Sequence, residues 1–107
     1  MLFRSLKAEL KASPNNPKLL NSLGVLYARF GLLDEAAAPF QQILKGGEVA
    51  SALINLGNIA YLKGDNAAAL TYYNRALKKS PNNSAALLGI ARVSYELEEY
   101  EIGRAHV

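Results

Sequence analysis

One motif in this chain is written twice, 33 residues apart, and that interval constrains the fold more than any other feature. Leu20-x-x-Leu23-Gly24 returns as Leu53-x-x-Leu56-Gly57, and Ala36-x-x-x-Phe40 returns as Ala69-x-x-x-Tyr73. Pro14-Asn15-Asn16 recurs as Pro81-Asn82-Asn83 after 67 residues, about two such intervals, and a partial third copy reads Leu87-x-x-Ile90-Ala91. A fixed period of this size belongs to stacked repeats, in which each unit buries its apolar face against its neighbours. The chain is therefore expected to be an array of like units.

Within each unit apolar residues recur at three- and four-residue steps, and no segment alternates as a strand would. The pattern predicts an all-α chain of about seven helical segments: 2–12, 17–30, 33–45, 49–63, 66–79, 84–97 and a further start at 99. Ser13-Pro14-Asn15-Asn16-Pro17 and Ser80-Pro81-Asn82-Asn83-Ser84 each stop one helix with proline and offer Asn or Ser to cap the next. Gly31 and Gly64 are placed to end helices in the left-handed conformation, and Gly46-Gly47 supply the turn in the first unit where the second has Ser80-Pro81. Asp34 and Asp65 bring negative charge to helix starts. Pro39 falls about one turn into a helix, where it removes a backbone hydrogen bond and is expected to bend it. Gly24, Gly57, Ala36, Ala69 and Ala76 let antiparallel helices approach while Leu, Phe and Tyr fill the gaps, so Tyr72 and Tyr73 are expected to be packing aromatics.

The bulk composition narrows the function classes. Half of the residues are apolar and a fifth charged, too apolar for a disordered chain. No apolar run approaches the roughly 20 residues that span a bilayer, so no membrane insertion is expected. Met1-Leu2-Phe3-Arg4 leads directly into a polar helix pattern without the apolar core of a secretory signal, an observation that carries weight only if Met1 is the start of the protein. There is no cysteine, which excludes disulfides and thiolate metal sites and is compatible with cytoplasm or periplasm alike. The net charge of +3 comes largely from Lys45, Lys63, Lys78 and Lys79 near predicted helix C-termini, where it complements the helix dipole. Attraction to nucleic acid is not needed to explain it.

Leu53-x-x-Leu56-Gly57-x-x-Ala60, Gly64-Asp65, Ala69-x-x-x-Tyr73-x-x-Ala76 and Pro81 together resemble the tetratricopeptide repeat, a helix–turn–helix unit of about 34 residues. The resemblance implies an α-solenoid of antiparallel helix pairs wound as a right-handed superhelix. Residues 1–13 correspond to the second helix of a preceding repeat, 17–49 and 50–83 to two repeats, and 84–101 to a partial repeat. The sequence departs from the family's pattern at Ala60 and Ser94, at Glu48 where proline is common, and at Glu98 in place of the turn glycine.

The resemblance also implies a concave groove lined by the first helix of each pair. Its candidate contact residues are Asn21, Arg29, Asn55, Asn58, Tyr61, Arg92 and Tyr95, within a lining that includes Val25, Ala28, Ile54, Leu62, Leu88, Gly89 and Glu96. Asn55 and Asn58 lie three residues apart on one helix face, and an amide pair can hold the backbone of an extended peptide without reading its side chains. Tyr61, Tyr95 and Arg92 would add stacking and charge recognition. Family members that grip chaperone C-termini use a clamp of lysines, an arginine and asparagines. Only Asn55 fits that pattern, with Asn21, Val25, Ala85 and Gly89 at the other positions, which argues against such a ligand.

Ile102-Gly103-Arg104-Ala105-His106-Val107 breaks the repeat pattern and equals the translation of ATC GGA AGA GCA CAC GTC, part of a common sequencing adapter. Residues 102–107 are therefore expected to be a non-native tail. His106, the only histidine, then carries no functional meaning, and the third repeat would lack its second helix. Self-association through that uncapped end is expected.

These readings predict a non-catalytic scaffold that binds a peptide or protein segment in the groove, with no cofactor and no nucleic-acid partner. The alternative is a structural spacer within a larger assembly or secretion-related protein. No glycine-rich phosphate loop and no metal-spaced ligands point to an enzyme. Glu96, Glu98, Glu99 and Glu101 fit a solvated helix end better than a carboxylate dyad.

Overall fold

The computed structural model describes residues 2–105, and all regular structure among them is helical. The elements are α1 (Leu2–Ala12), α2 (Pro17–Arg29), α3 (Leu33–Leu44), α4 (Ala50–Leu62), α5 (Asn66–Lys79) and α6 (Ser84–Ala105). Helices α2 and α3 form one antiparallel pair and α4 and α5 the next. α1 packs on α2, and α6 packs on α5 and α4. The pairs stack side by side into a body of 56 × 29 × 19 Å, the elongated shape of a solenoid.

The repeated punctuation acts through repeated hydrogen bonds. Asn16 caps α2, its Oδ1 accepting from Lys18 N and Leu19 N at 3.0 and 3.3 Å, with Pro17 at the first helical position. Asn83, 67 residues later, accepts from Ala86 N at 3.1 Å. Gly31 and Gly64 have φ of 74° and 83°. Each closes the same C-terminal motif: Leu32 N donates to Tyr27 O and Asp65 N to Ala60 O, at 3.0 and 2.9 Å. Asp65 then caps α5 through Ala68 N, whereas Leu32 gives α3 no side-chain cap and Asp34 and Glu35 supply only first-turn charge. Gly64→Ala is expected to cost about 1 kcal/mol, because its Cβ would meet nothing within 4 Å and only the left-handed backbone opposes it. Urea denaturation measures this, and an unchanged midpoint would contradict it.

The turn predicted after Leu97 is not made; α6 runs unbroken to Ala105. Glu98 stands 34 residues after Gly64, and a side chain in the left-handed conformation costs roughly 1–2 kcal/mol that glycine does not. Continuing the helix keeps its hydrogen bonds, and glutamate is a good helix former. Residues 102–105 thus extend α6, while Met1, His106 and Val107 lie outside the described residues. Pro39 is buried inside α3, which is continuous across it.

Two core clusters run along the seam between helices. Ala36, Phe40, Ala52, Leu56 and Ile59 form the first; Tyr73, Leu53, Ile54, Ala60, Ala69, Ala76, Ala86 and Val93 form the second. The small residues admit the rings. A Cβ on Gly24 would lie 2.5 Å from Phe40 Cζ, and one on Gly57 2.6 Å from Tyr73 Cε1. A Cβ on Gly89 of α6 would likewise lie 2.5 Å from Tyr73 Cζ. Gly89 and Ile54 are therefore core residues, not groove lining. Sequence spacing places them on the right helices but does not reveal that the next helix covers that face.

Candidate functional site

Helices α2, α4 and α6 share one face, and the candidate residues distribute along it. Asn21 and Asn55 bridge α2 to α4, the Asn55 Nδ2 donating to Asn21 Oδ1 at 3.2 Å. Asn58 Oδ1 accepts from the Tyr73 hydroxyl at 2.5 Å. Burial pushes the Tyr73 phenol's pKa upward, so the hydroxyl stays protonated and donates. The two repeats differ here as a matched pair. Phe40 and Val25 occupy the positions that Tyr73 and Asn58 hold 33 residues later, so the hydroxyl and its acceptor come and go together. That covariation between copies was the sequence signal for Asn58's packing role.

Tyr61 links α4 to α6. Its hydroxyl donates to Glu96 Oε1 at 2.5 Å, and the Arg92 guanidinium lies 5.3 Å from its ring centroid. The Glu96 acceptor raises the Tyr61 pKa, because ionising the phenol would set two negative charges together. Tyr61 and Arg92 are thus partners of each other. Arg29 is exposed, and Tyr95 is 63% exposed on α6, at the position equivalent to Tyr61.

Between α2 and α4 the face opens into a cleft of about 270 Å³. Val25, Ala28 and Ile59 give it apolar walls, Arg29 and the Asn55 and Asn58 amides line its edge, and Leu62 is 62% exposed beside it. Such a site offers apolar contact, amide donors and one cation, which suits binding rather than bond-making chemistry. Among the described residues no cluster of three His, Asp or Glu side chains could hold a metal ion, and no helix is long and apolar enough to cross a membrane.

Outside this face, two ion pairs tie successive repeats. Arg75 grips Glu48 through Nε–Oε2 and Nη2–Oε1 contacts of 3.1 and 2.7 Å, which lowers the Glu48 pKa. Lys63 pairs with Asp34 at 2.5 Å, which raises the lysine's pKa.

Family models described as tetratricopeptide repeat match residues 4–52 and 50–83, from α1 through the end of α5. The chain belongs to the tetratricopeptide repeat family. Two crystal structures of MamA superpose with TM-scores of 0.80 and 0.78 at 26% identity, covering 92% of this chain and 58% and 55% of theirs. A tetratricopeptide repeat protein from Parabacteroides merdae ATCC 43184 superposes with a TM-score of 0.80 at 29% identity, over 92% of this chain and 40% of that one. The chain thus spans little more than half the length of the MamA chains. No curated protein matches it. Tetratricopeptide repeats are in general non-catalytic scaffolds for contacts between proteins, and the helix-pair stacking seen here is that scaffold.

Proposed function

We propose that the chain binds an extended segment of another protein across the concave face of α2, α4 and α6. The reading is carried by the cleft between α2 and α4, where apolar walls, an exposed Leu62 and the Arg29 cation converge. An apolar side chain of the partner enters between Val25 and Ile59, and an acidic or carbonyl group beside it meets Arg29. Asn55 retains its own Oδ1 and Asn58 its Nδ2, one acceptor and one donor amide for the partner's backbone. Selection from a random peptide library is expected to enrich segments with an apolar residue next to an acidic one. Leu62→Asp with Arg29→Glu should weaken their binding tenfold or more while leaving helicity intact, since both side chains are exposed. Peptides that bind the double variant equally well would overturn the reading.

The spacer reading is favoured by a different observation: Asn21, Asn55, Asn58, Tyr61 and Arg92 all engage neighbouring helices. A library that enriches nothing on the wild-type surface would select it.

A further inference from the structure

The other side of the first repeat carries a second, larger cleft. It lies between α1 and α3, has a volume of about 630 Å³, and shares no residue with the α2–α4 cleft. Leu23 and Tyr27 of α2 form its floor, Leu10 and Pro39 its walls, and Lys7 and Lys11 stand on its rim. All of its sides belong to α1, α2, α3 and the turn at Pro14. A repeat stacked before α1 would add to the far side of that helix and leave this trough as it is.

Length, walls and charge each limit what fits there. Along α3 the lining runs from Glu35 to Gln42, about 10 Å at 1.5 Å per residue, which is the reach of about three residues of extended chain. The walls suit a flat ring: the half-buried Tyr27 side chain lies beneath, the Pro39 ring beside it, and leucines on either hand. At the position matching Pro39 the second repeat has Tyr72, whose half-buried ring rests on the cluster containing Phe40 and Leu56, with the Arg75 guanidinium 5.5 Å from its centroid. A ring beside a cation is thus already in use at this level of the next repeat. Lys7 and Lys11 stand one turn apart on α1, both exposed, and neither forms an ion pair among the described residues. Arg4 extends the same stripe, while Glu9 lies about half a turn round the helix from it. Glu35 is the one acid among the lining residues, so the rim calls for carboxylates on whatever enters.

We propose that the cleft between α1 and α3 is a second docking site, and that it takes a short extended segment of a partner protein in which an aromatic residue is flanked by acidic ones. The ring enters over Tyr27 between Leu10 and Pro39, and the flanking carboxylates meet Lys7 and Lys11. The site is independent of the α2–α4 cleft and lies on other helix faces, so the two can be filled at once.

The chain contains no tryptophan, so a synthetic peptide of one tryptophan between two pairs of aspartates reports its own burial by fluorescence. Its emission should shift to the blue and saturate as the 107-residue chain is added, and the affinity should fall as salt screens the ion pairs. Serines in place of the aspartates, or alanine in place of the tryptophan (read by competition), should each raise Kd about tenfold or more. Lys7→Glu with Lys11→Glu should do the same, since attraction becomes repulsion, and both side chains are exposed, so helicity is kept. Ala38→Tyr adds bulk from an exposed position in the lining without changing charge, and should also weaken binding about tenfold or more. Leu62→Asp with Arg29→Glu should leave this affinity unchanged. A peptide whose emission does not shift, or that binds the lysine-reversed and Ala38→Tyr proteins as tightly as wild type, would overturn the proposal. So would equal competition by the alanine peptide, which would mark attraction by charge alone. Loss of binding in the Leu62→Asp, Arg29→Glu protein would also overturn it, placing the peptide on the concave face and leaving that reading intact.

Discussion

Tyr73→Ala is expected to destabilise the chain by about 3–5 kcal/mol, the cost of deleting a buried aromatic whose surroundings cannot collapse into the space. The ring is fully buried, with Gly57 of α4 and Gly89 of α6 both pressed close against it. It sits in the core cluster shared by α4, α5 and α6, so its loss opens a seam through both helix contacts. Set against a total stability of about 5–15 kcal/mol for a domain of ordinary size, the variant should be largely unfolded near its former working temperature. Tyr73→Phe separates packing from hydrogen bonding. It keeps the ring and removes only the bond to Asn58, so it should cost about 0.5–1.5 kcal/mol. Adding Asn58→Val recreates the Phe40–Val25 pair of the first repeat and should recover most of that loss. Thermal and urea melts of the three variants give the comparison. A Tyr73→Ala protein that melts like wild type would show the seam to be wrongly placed.

Gly57→Val should cost about 3 kcal/mol, at the upper end of what overpacking a core usually costs. A Cβ there lies 2.6 Å from Tyr73 Cε1 and 2.8 Å from Cδ1, and valine adds two methyl groups beyond it. The ring has little room to retreat, because Gly89 of α6 also lies close against it and Asn58 holds its hydroxyl. Helix α4 must move away from α5, losing the contacts on which both depend. Gly46→Ala is the matched control. Its Cβ would find only Ile43 O at 3.6 Å and its backbone is not left-handed, so the change should be neutral or stabilising by about 0.5 kcal/mol. Equal melting of the two variants would remove close approach as the reason for glycine at position 57.

The helix boundaries were readable because their causes are local. Asn16 and Asn83 cap and Gly31 and Gly64 stop through bonds to residues within five positions along the chain, and Pro17 starts its helix through a φ its ring already fixes. The one boundary that differed by more than a residue, after Leu97, is where a local signal was missing: Glu98 replaced the glycine, and the helix continued. The candidate site was only partly readable. Its residues do share a face, but Asn21 with Asn55, Asn58 with Tyr73, and Tyr61 with Arg92 and Glu96 are bonded across helices, at separations of 15 to 35 residues for the hydrogen bonds. Polarity and spacing along one helix cannot distinguish a side chain offered to a ligand from one already held by its neighbour.

Periodicity, capping and turn chemistry thus dictated the family, the helix pairs and the small residues at which they meet, since these follow from interactions within one repeat and from its copy 33 residues on. The packing of successive repeats settled which polar groups bond to a neighbouring helix and that Gly89 and Ile54 are buried. Those outcomes depend on the distance between helix axes and the volume of each side chain between them, quantities that arise only when the helices are brought together.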